Sequence, residues 1–266
     1  TLPSGVSVYG GFVGTETLLS ERNISVNETI LSGDRGIIGD STDNNYHVVL
    51  ANNVTATTRI DGFTITKGNA DIASFSGIIY NRNGGGLYNY NGQNNLTVAN
   101  CNFLENTGLS GGGIHNTINA MGNCSPTISN CTFSKNKATG GLSFGGSGGA
   151  ISNHGNFGTS NTIIDKCIFI DNNAYYGGAI DLYASGAGSS STVTITNSVL
   201  SKNLATFGGA LMFTSFINTD LNASISNCLF TENSLSLGGA VIFYNSPATS
   251  SPTTFNNTTF YGNTRV

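Results

Sequence analysis

Three aspartates, Asp165, Asp171 and Asp181, share one stretch of the chain with Tyr175, Tyr176 and Tyr183. Glycoside hydrolysis needs two carboxyl groups roughly 5 to 9.5 Å apart, one to protonate the leaving oxygen and one to attack or to activate water. This stretch is where the chain would carry such a pair; the competing reading makes all three solvated turn residues. A second acidic loop, Asp34-Arg-Gly-Ile-Ile-Gly-Asp40-Ser-Thr-Asp43, offers oxygen ligands of the kind calcium takes. Its spacing is not that of an EF-hand, and Asp is also a common turn residue. His47, His115 and His154 are dispersed in the sequence, and no Cys/His spacing resembles a zinc site. The expectation is therefore no metal and no cofactor, with Asp34, Asp40 and Asp43 as a weak calcium candidate.

Of the five cysteines, Cys101, Cys131, Cys167 and Cys228 occupy one slot of a recurring phrase, Asn/Lys-Cys/Ser/Thr-x-Phe/Leu-x-x-Asn. It runs from Asn100 to Asn106, Asn130 to Asn136, Lys166 to Asn172, Asn197 to Asn203, Asn227 to Asn233 and Asn257 to Asn263. Phe63, Ser198 and Thr258 share the cysteine slot, which suits an inward core position better than a covalent framework. Strands stacked ~4.8 Å apart also disfavour a bridge whose Cβ atoms want about 3.8 Å. A buried thiol stack is expected. Cys124 lies off this ladder and is expected to be unpaired.

What would position these residues is the repeat itself. A degenerate seventh copy runs from Ile60 to Gly68, and the closing positions 68, 106, 136, 172, 203, 233 and 263 have the spacing of a repeat array. A second phrase, Gly-Gly-Gly/Ala followed by an aliphatic residue, begins at Gly84, Gly111, Gly148, Gly177, Gly208 and Gly238. Short β-prone runs such as Leu96-Thr-Val98 and Val193-Thr-Ile195 precede the cysteine phrase. Three short strands per period, with no helical stretch, describe one turn of a β-solenoid. Phe103, Phe133, Phe169, Phe230 and Phe260, with Ile65 and Leu200 in the same slot, predict an inward ladder. Asn106, Asn136, Asn172, Asn203, Asn233 and Asn263 predict a turn in left-handed conformation whose amides bond from coil to coil. Residues 1–59 read as irregular opening coils, and residues 60–266 as regular repeats of the same continuous domain. Counting the opening runs gives about nine coils, a rod of roughly 40 Å.

If Leu87, Ile114, Ile151, Ile180, Leu211 and Val241 point inward, alternation turns their neighbours outward. That strip carries Tyr88, Tyr90, His115, Ser152, His154, Asp181, Tyr183, Met212, Ile242 and Tyr244. An exposed aromatic and apolar strip marks a surface for a glycan or protein partner. In the alternative, the connections 183–192, 214–223 and 244–253 fold back over it.

Composition narrows the classes. Gly and Asn contribute 36 residues each, there is no Trp, and only 9 % of residues are charged. The net charge is −4 with no basic cluster, which removes the footprint of a nucleic-acid or anionic-membrane binder. No run approaches the ~20 apolar residues of a membrane-spanning helix. Both ends read as the edges of a fragment or processed product.

The alternation of Phe-x-x-Asn with Gly-Gly-Ala-Ile/Leu/Val over positions 60 to 263 resembles the repeat of chlamydial polymorphic outer-membrane proteins and related secreted β-helix proteins. The opening Val8-Tyr-Gly-Gly-Phe12-x-Gly-Thr-Glu16 with Leu31-Ser-Gly-Asp34 is similar to the start of surface β-helix proteins of Bacteroidetes-type bacteria. The resemblance implies an all-β, right-handed parallel β-helix of the pectate-lyase-like kind. It also implies export to a bacterial cell surface and an adhesive or structural role. Partners would be a surface glycan, a protein or other envelope subunits, with end-to-end or lateral assembly. The same fold class houses polysaccharide lyases and glycoside hydrolases, which keeps an enzyme as the alternative. Against it, the pectinase-like signatures Asp-Asp and Gly-His-Gly are absent, and Asn-Thr-Asp, at Asn218-Thr219-Asp220, stands without them.

Overall fold

The structure is a computed structural model that describes residues 1–55, 57–71, 82–90, 93–94, 96–118, 122–141, 145–216, 218–245 and 252–265. The chain winds as a parallel β-solenoid of about 7 turns with four parallel sheets. In order of passage, each regular turn enters the first sheet (for example Thr127–Ser129), the second (Thr132–Ser134), the third (Lys137–Ala138) and the fourth (Ile151–Asn156). Every described pairing between neighbouring turns is parallel and in register, so equivalent residues stack directly: Phe103 on Phe133 on Phe169, and Leu200 on Phe230 on Phe260.

Two expectations change here. The short third sheet, Thr107–Gly108, Lys137–Ala138, Asn173–Tyr176, Leu204–Phe207, Ser234–Leu237 and Thr264–Arg265, makes four strands per turn where the repeat suggests three. The opening runs, counted as separate coils, are three sides of one turn. Ser7–Tyr9 joins the first sheet, Ile30–Ser32 the second and Val49–Asn52 the fourth. Long excursions between them disguise a single turn as several, which is why the count falls from nine.

The core is built in rows. Phe103, Phe133, Phe169 and Phe230 are fully buried, and the first three stack with ring centroids 4.8 and 4.9 Å apart. The cysteine row is more polar than its burial suggests. Each thiol donates to the carbonyl two residues back: Cys101 to Ala99, Cys131 to Ser129, Cys167 to Asp165 and Cys228 to Ser226, at 3.1 to 3.3 Å. Ser198 and Thr258 repeat that bond with their hydroxyls. Only a short side chain carrying a donor makes it, which explains why Cys, Ser and Thr interchange in this slot. All five cysteines are free thiols.

The asparagine row is hydrogen-bonded from turn to turn, with Nδ2 of Asn106, Asn136, Asn172, Asn203 and Asn233 donating to Oδ1 of the next asparagine at 2.8 to 3.1 Å. The left-handed backbone, however, falls one residue earlier than expected. Lys67, Glu105, Lys135, Asp171, Lys202 and Glu232 take φ between 54° and 61°, leaving each asparagine side chain free to turn inward. A second left-handed corner lies at Asn100, Asn130, Lys166, Asn197, Asn227 and Asn257. The first of these corner rows alternates in sign all along the solenoid. Lys67 pairs with Glu105 at 2.5 Å, Lys135 lies 4.0 Å from Glu105, and Lys202 lies 3.7 Å from Glu232. No helix among the described residues is long and apolar enough to cross a membrane.

Candidate functional site, a groove between the third and fourth sheets

The outward side of the fourth sheet carries two rows. One reads Tyr88, His115, Ser152, Asp181, Met212, Ile242, and the other Tyr90, Thr117, His154, Tyr183, Thr214, Tyr244. The first row is not the open strip that alternation predicts: Tyr88, His115, Asp181 and Met212 are 5 % exposed or less, and Ile242 is half-buried. The cause is the turn that enters this sheet. At Gly177 the backbone has φ 60°, and a Cβ there would collide with the carbonyl of Ile180. Only glycine permits so tight a reversal. It folds the third sheet back against the outer face of the fourth and covers the near row.

The far row, Thr117 apart, stays accessible, and between it and the third sheet runs a groove of about 980 Å³. Tyr176 and Phe207 stack on each other at 5.5 Å and form the third-sheet wall. Tyr183, Thr214 and Tyr244 line the opposite side, while Phe157 and Phe216 come from the corners that follow the fourth sheet. Of the connections expected to fold over this face, the described parts add Ser185 and Phe216 to the groove rim but do not cover it. Residues 183–192 and 214–223 largely extend the fourth and first sheets sideways, as Ile180–Ser185, Ser190–Thr196, Leu211–Ser215 and Asp220–Ser226. Most of the connection 244–253, residues 246–251, lies outside the described residues.

The floor of the groove is polar. His154 Nε2 lies 3.7 Å from Asp181 Oδ2, and neither atom has a hydrogen-bond partner; in the covered row, outside the groove lining, His115 Nδ1 and Ser152 Oγ lack partners too. Burial holds the Asp181 carboxyl above the ordinary value of 3.8, an effect the neighbouring His154 partly offsets. Burial, reinforced by His154 and His47, keeps His115 well below 6.5, so this imidazole is neutral near pH 7. The rings of His47, Tyr88, His115, His154, Tyr183 and Phe216 form a continuous chain, each centroid 4.8 to 5.7 Å from the next. A site of this kind can hydrogen-bond a polar group from below while apolar rings hold its flanks.

The three aspartates that sequence groups together are not brought together. Asp165 ends a first-sheet strand, Asp171 sits at the corner after the second sheet, and only Asp181 reaches the groove. In a solenoid a few residues of separation carry the chain round a corner to another face. Asp165 accepts from Thr196 Oγ1 and Asn197 Nδ2, which hold its carboxyl low. The acidic loop likewise caps itself. Asp43 accepts from the Ile37 amide, Asp34 from Gly39, and Asp40 from the Thr42 amide and hydroxyl. No group of three or more His, Cys, Asp or Glu side chains among the described residues is arranged to hold a metal ion.

Sequence reasoning names Tyr176 only as a neighbour of the acidic stretch, and misses Phe207, Phe157 and Phe216. A signal exists for Tyr176 and Phe207: with Leu237 they stand in register immediately before the glycine pair. Cys124 is fully buried beside Asn89 Nδ2, at 3.2 Å, and burial pushes its thiol up to about 12.

No curated protein and no solved structure matches the chain. A family model, the Chlamydia polymorphic membrane protein repeat, matches residues 130–154, the single turn that runs from the corner before Cys131 to His154 on the groove floor.

Proposed function

We propose that this chain is part of an exported, surface-displayed β-solenoid that works by binding, as an adhesive or structural module, through the groove between its third and fourth sheets. The family whose repeat it carries is named for membrane proteins. The likeness of its opening segment to Bacteroidetes-type surface proteins points the same way. One observation carries the binding role: Phe157, Phe216 and Tyr244 are 60 %, 42 % and 64 % exposed around a single groove. Large apolar side chains gathered at one lateral opening mark a recognition surface. The described lining holds one carboxylate, Asp181, where glycoside hydrolysis needs two, so the groove supports binding better than turnover.

The test is binding of the fluorescently labelled chain to host epithelial cells and to bacterial envelopes, beside the double variant Phe207→Ser/Tyr183→Ser. Saturable binding that weakens at least tenfold in the variant, with its thermal unfolding intact, supports the reading. Equal binding by both proteins, or release of new reducing ends from glycans, overturns it.

A further inference from the structure

The groove floor has chemistry that an apolar partner would leave unused. Asp181 Oδ2 and His154 Nε2 face each other at 3.7 Å, too far for a hydrogen bond, and neither makes one elsewhere, with Asp181 1 % exposed at the base of the groove. Burying polar atoms without partners costs about 1–3 kcal/mol each, so a ligand that completes them gains what the free protein lacks. Both atoms are closed to solvent in the free protein, so a hydroxyl reaches them only as a lining side chain shifts; it then fits both at once, donating to the carboxylate oxygen and accepting from the imidazole N–H.

Three further features narrow the ligand. The walls are rings, Tyr176 and Phe207 on one side and Tyr183 on the other, whose faces suit the C–H surfaces of pyranose sugars. No Lys or Arg is among the described residues that line the groove, so a uronate or sulfated sugar would meet the Asp181 carboxylate without a compensating cation there. The lining draws on four successive strands of the fourth sheet, from His154 through Tyr183 and Thr214 to Tyr244. At ~4.8 Å per turn they span roughly 15 Å, the reach of an oligosaccharide more than of a single sugar.

We infer that the groove binds a neutral oligosaccharide, one sugar hydroxyl bridging Asp181 Oδ2 and His154 Nε2 while sugar faces lie on Tyr183, Tyr176 and Phe207. This inference rests on the proposed role of the groove and names its ligand class.

The experiment is calorimetric titration of the whole chain with gluco-, manno- and galacto-hexasaccharides and with an oligogalacturonate. The proteins compared are wild type, Asp181→Leu, Asp181→Asn, Tyr183→Ala and the remote control Asp165→Asn. Thermal unfolding of each variant verifies its fold, and Asp181→Asn serves if the leucine variant is unstable. A neutral hexasaccharide that binds wild type and Asp165→Asn equally, and loses about tenfold or more in the Asp181 and Tyr183 variants, supports the inference. Preference for oligogalacturonate overturns the neutral class, and neutral binding unchanged by both Asp181 variants overturns the hydroxyl bridge. If no oligosaccharide binds while groove variants still abolish attachment to cells, the ligand class falls and the binding role stands. If attachment is also indifferent to groove variants, both fall.

Discussion

Asn136 and Asn172, in the same slot of successive turns, are joined by a 3.0 Å hydrogen bond between their side-chain amides. Asn172 is saturated: its Oδ1 also accepts the Asn136 backbone N–H at 3.0 Å, and its Nδ2 donates to Phe133 O and Asn203 Oδ1 at 3.0 and 2.9 Å. An aspartate here would set oxygen against two acceptors. Asn172→Asp should therefore destabilise more than Asn172→Ala at pH 7, each by about 3–5 kcal/mol or more, since several buried bonds are lost together. Urea unfolding of the two variants measures the order, and equal midpoints would contradict it.

Position within the Phe ladder should set the cost of truncation. Phe169 is fully buried between neighbours, whereas Phe260 is 47 % exposed in the last turn. Phe169→Ala should cost about 3–5 kcal/mol. Phe260→Ala should cost well under half of that, read from the same denaturant titrations.

Asp61 and Asp181 are both buried, yet they predict opposite responses to pH. Burial alone would raise the Asp61 carboxyl, but Asn100, Arg22 at 2.7 Å and Arg59 at 2.5 Å overcome it and hold it below 3.8. A lowered native value means stability that is complete above about pH 3.8 and fades as pH falls through the native value. Asp61→Asn should lower the unfolding temperature at pH 7, with the deficit shrinking below pH 3.8.

At Asp181 the native value is raised, so stability is complete below 3.8 and declines as pH rises through the native value. Asp181→Asn, which resembles the protonated acid, should unfold at a higher temperature than wild type at pH 7 and lose that advantage in acid. Calorimetric scans from pH 3 to 8 test both aspartates, and parallel curves would refute the assignment.

Cys124 is buried and its thiol is held near 12. At pH 8 it should resist alkylation in the native protein and react only on unfolding, as peptide mapping after iodoacetamide treatment would show. Modification at the rate of a free thiol would place it at the surface.

The rows were legible in the sequence because their function is repetition: Phe133, Cys131 and Asn136 recur at fixed offsets and are read without knowing the turn. The third sheet was not, because Thr107-Gly108 and Lys137-Ala138 are two-residue strands of unrelated composition whose only common property is place. The left-handed corner was misplaced by one residue for a related reason. Asparagine tolerates that conformation best, but here its amide is needed inside, and Lys, Glu and Asp take the strain instead. The site was half legible. His154, Asp181, Tyr183 and Tyr244, which line the groove, are assigned to the outer face by strand alternation, which says which way a side chain points. It does not say that another sheet lies over it, and so Tyr88, His115, Asp181 and Met212, expected in the open, are buried.

The corner row of Lys67, Glu105, Lys135, Asp171, Lys202 and Glu232 makes the solenoid sensitive to parity. Removing residues 172–202, one turn, would seat Asp171 beside Glu232; removing residues 136–202, two turns, would seat Lys135 there and restore attraction. Exposed pairs of this kind are worth about 0.2–1 kcal/mol and weaken with salt. The odd deletion should therefore gain stability from added salt and the even one lose it. A chain that lengthened or shortened by recombination between its repeats would keep this row intact only in steps of two.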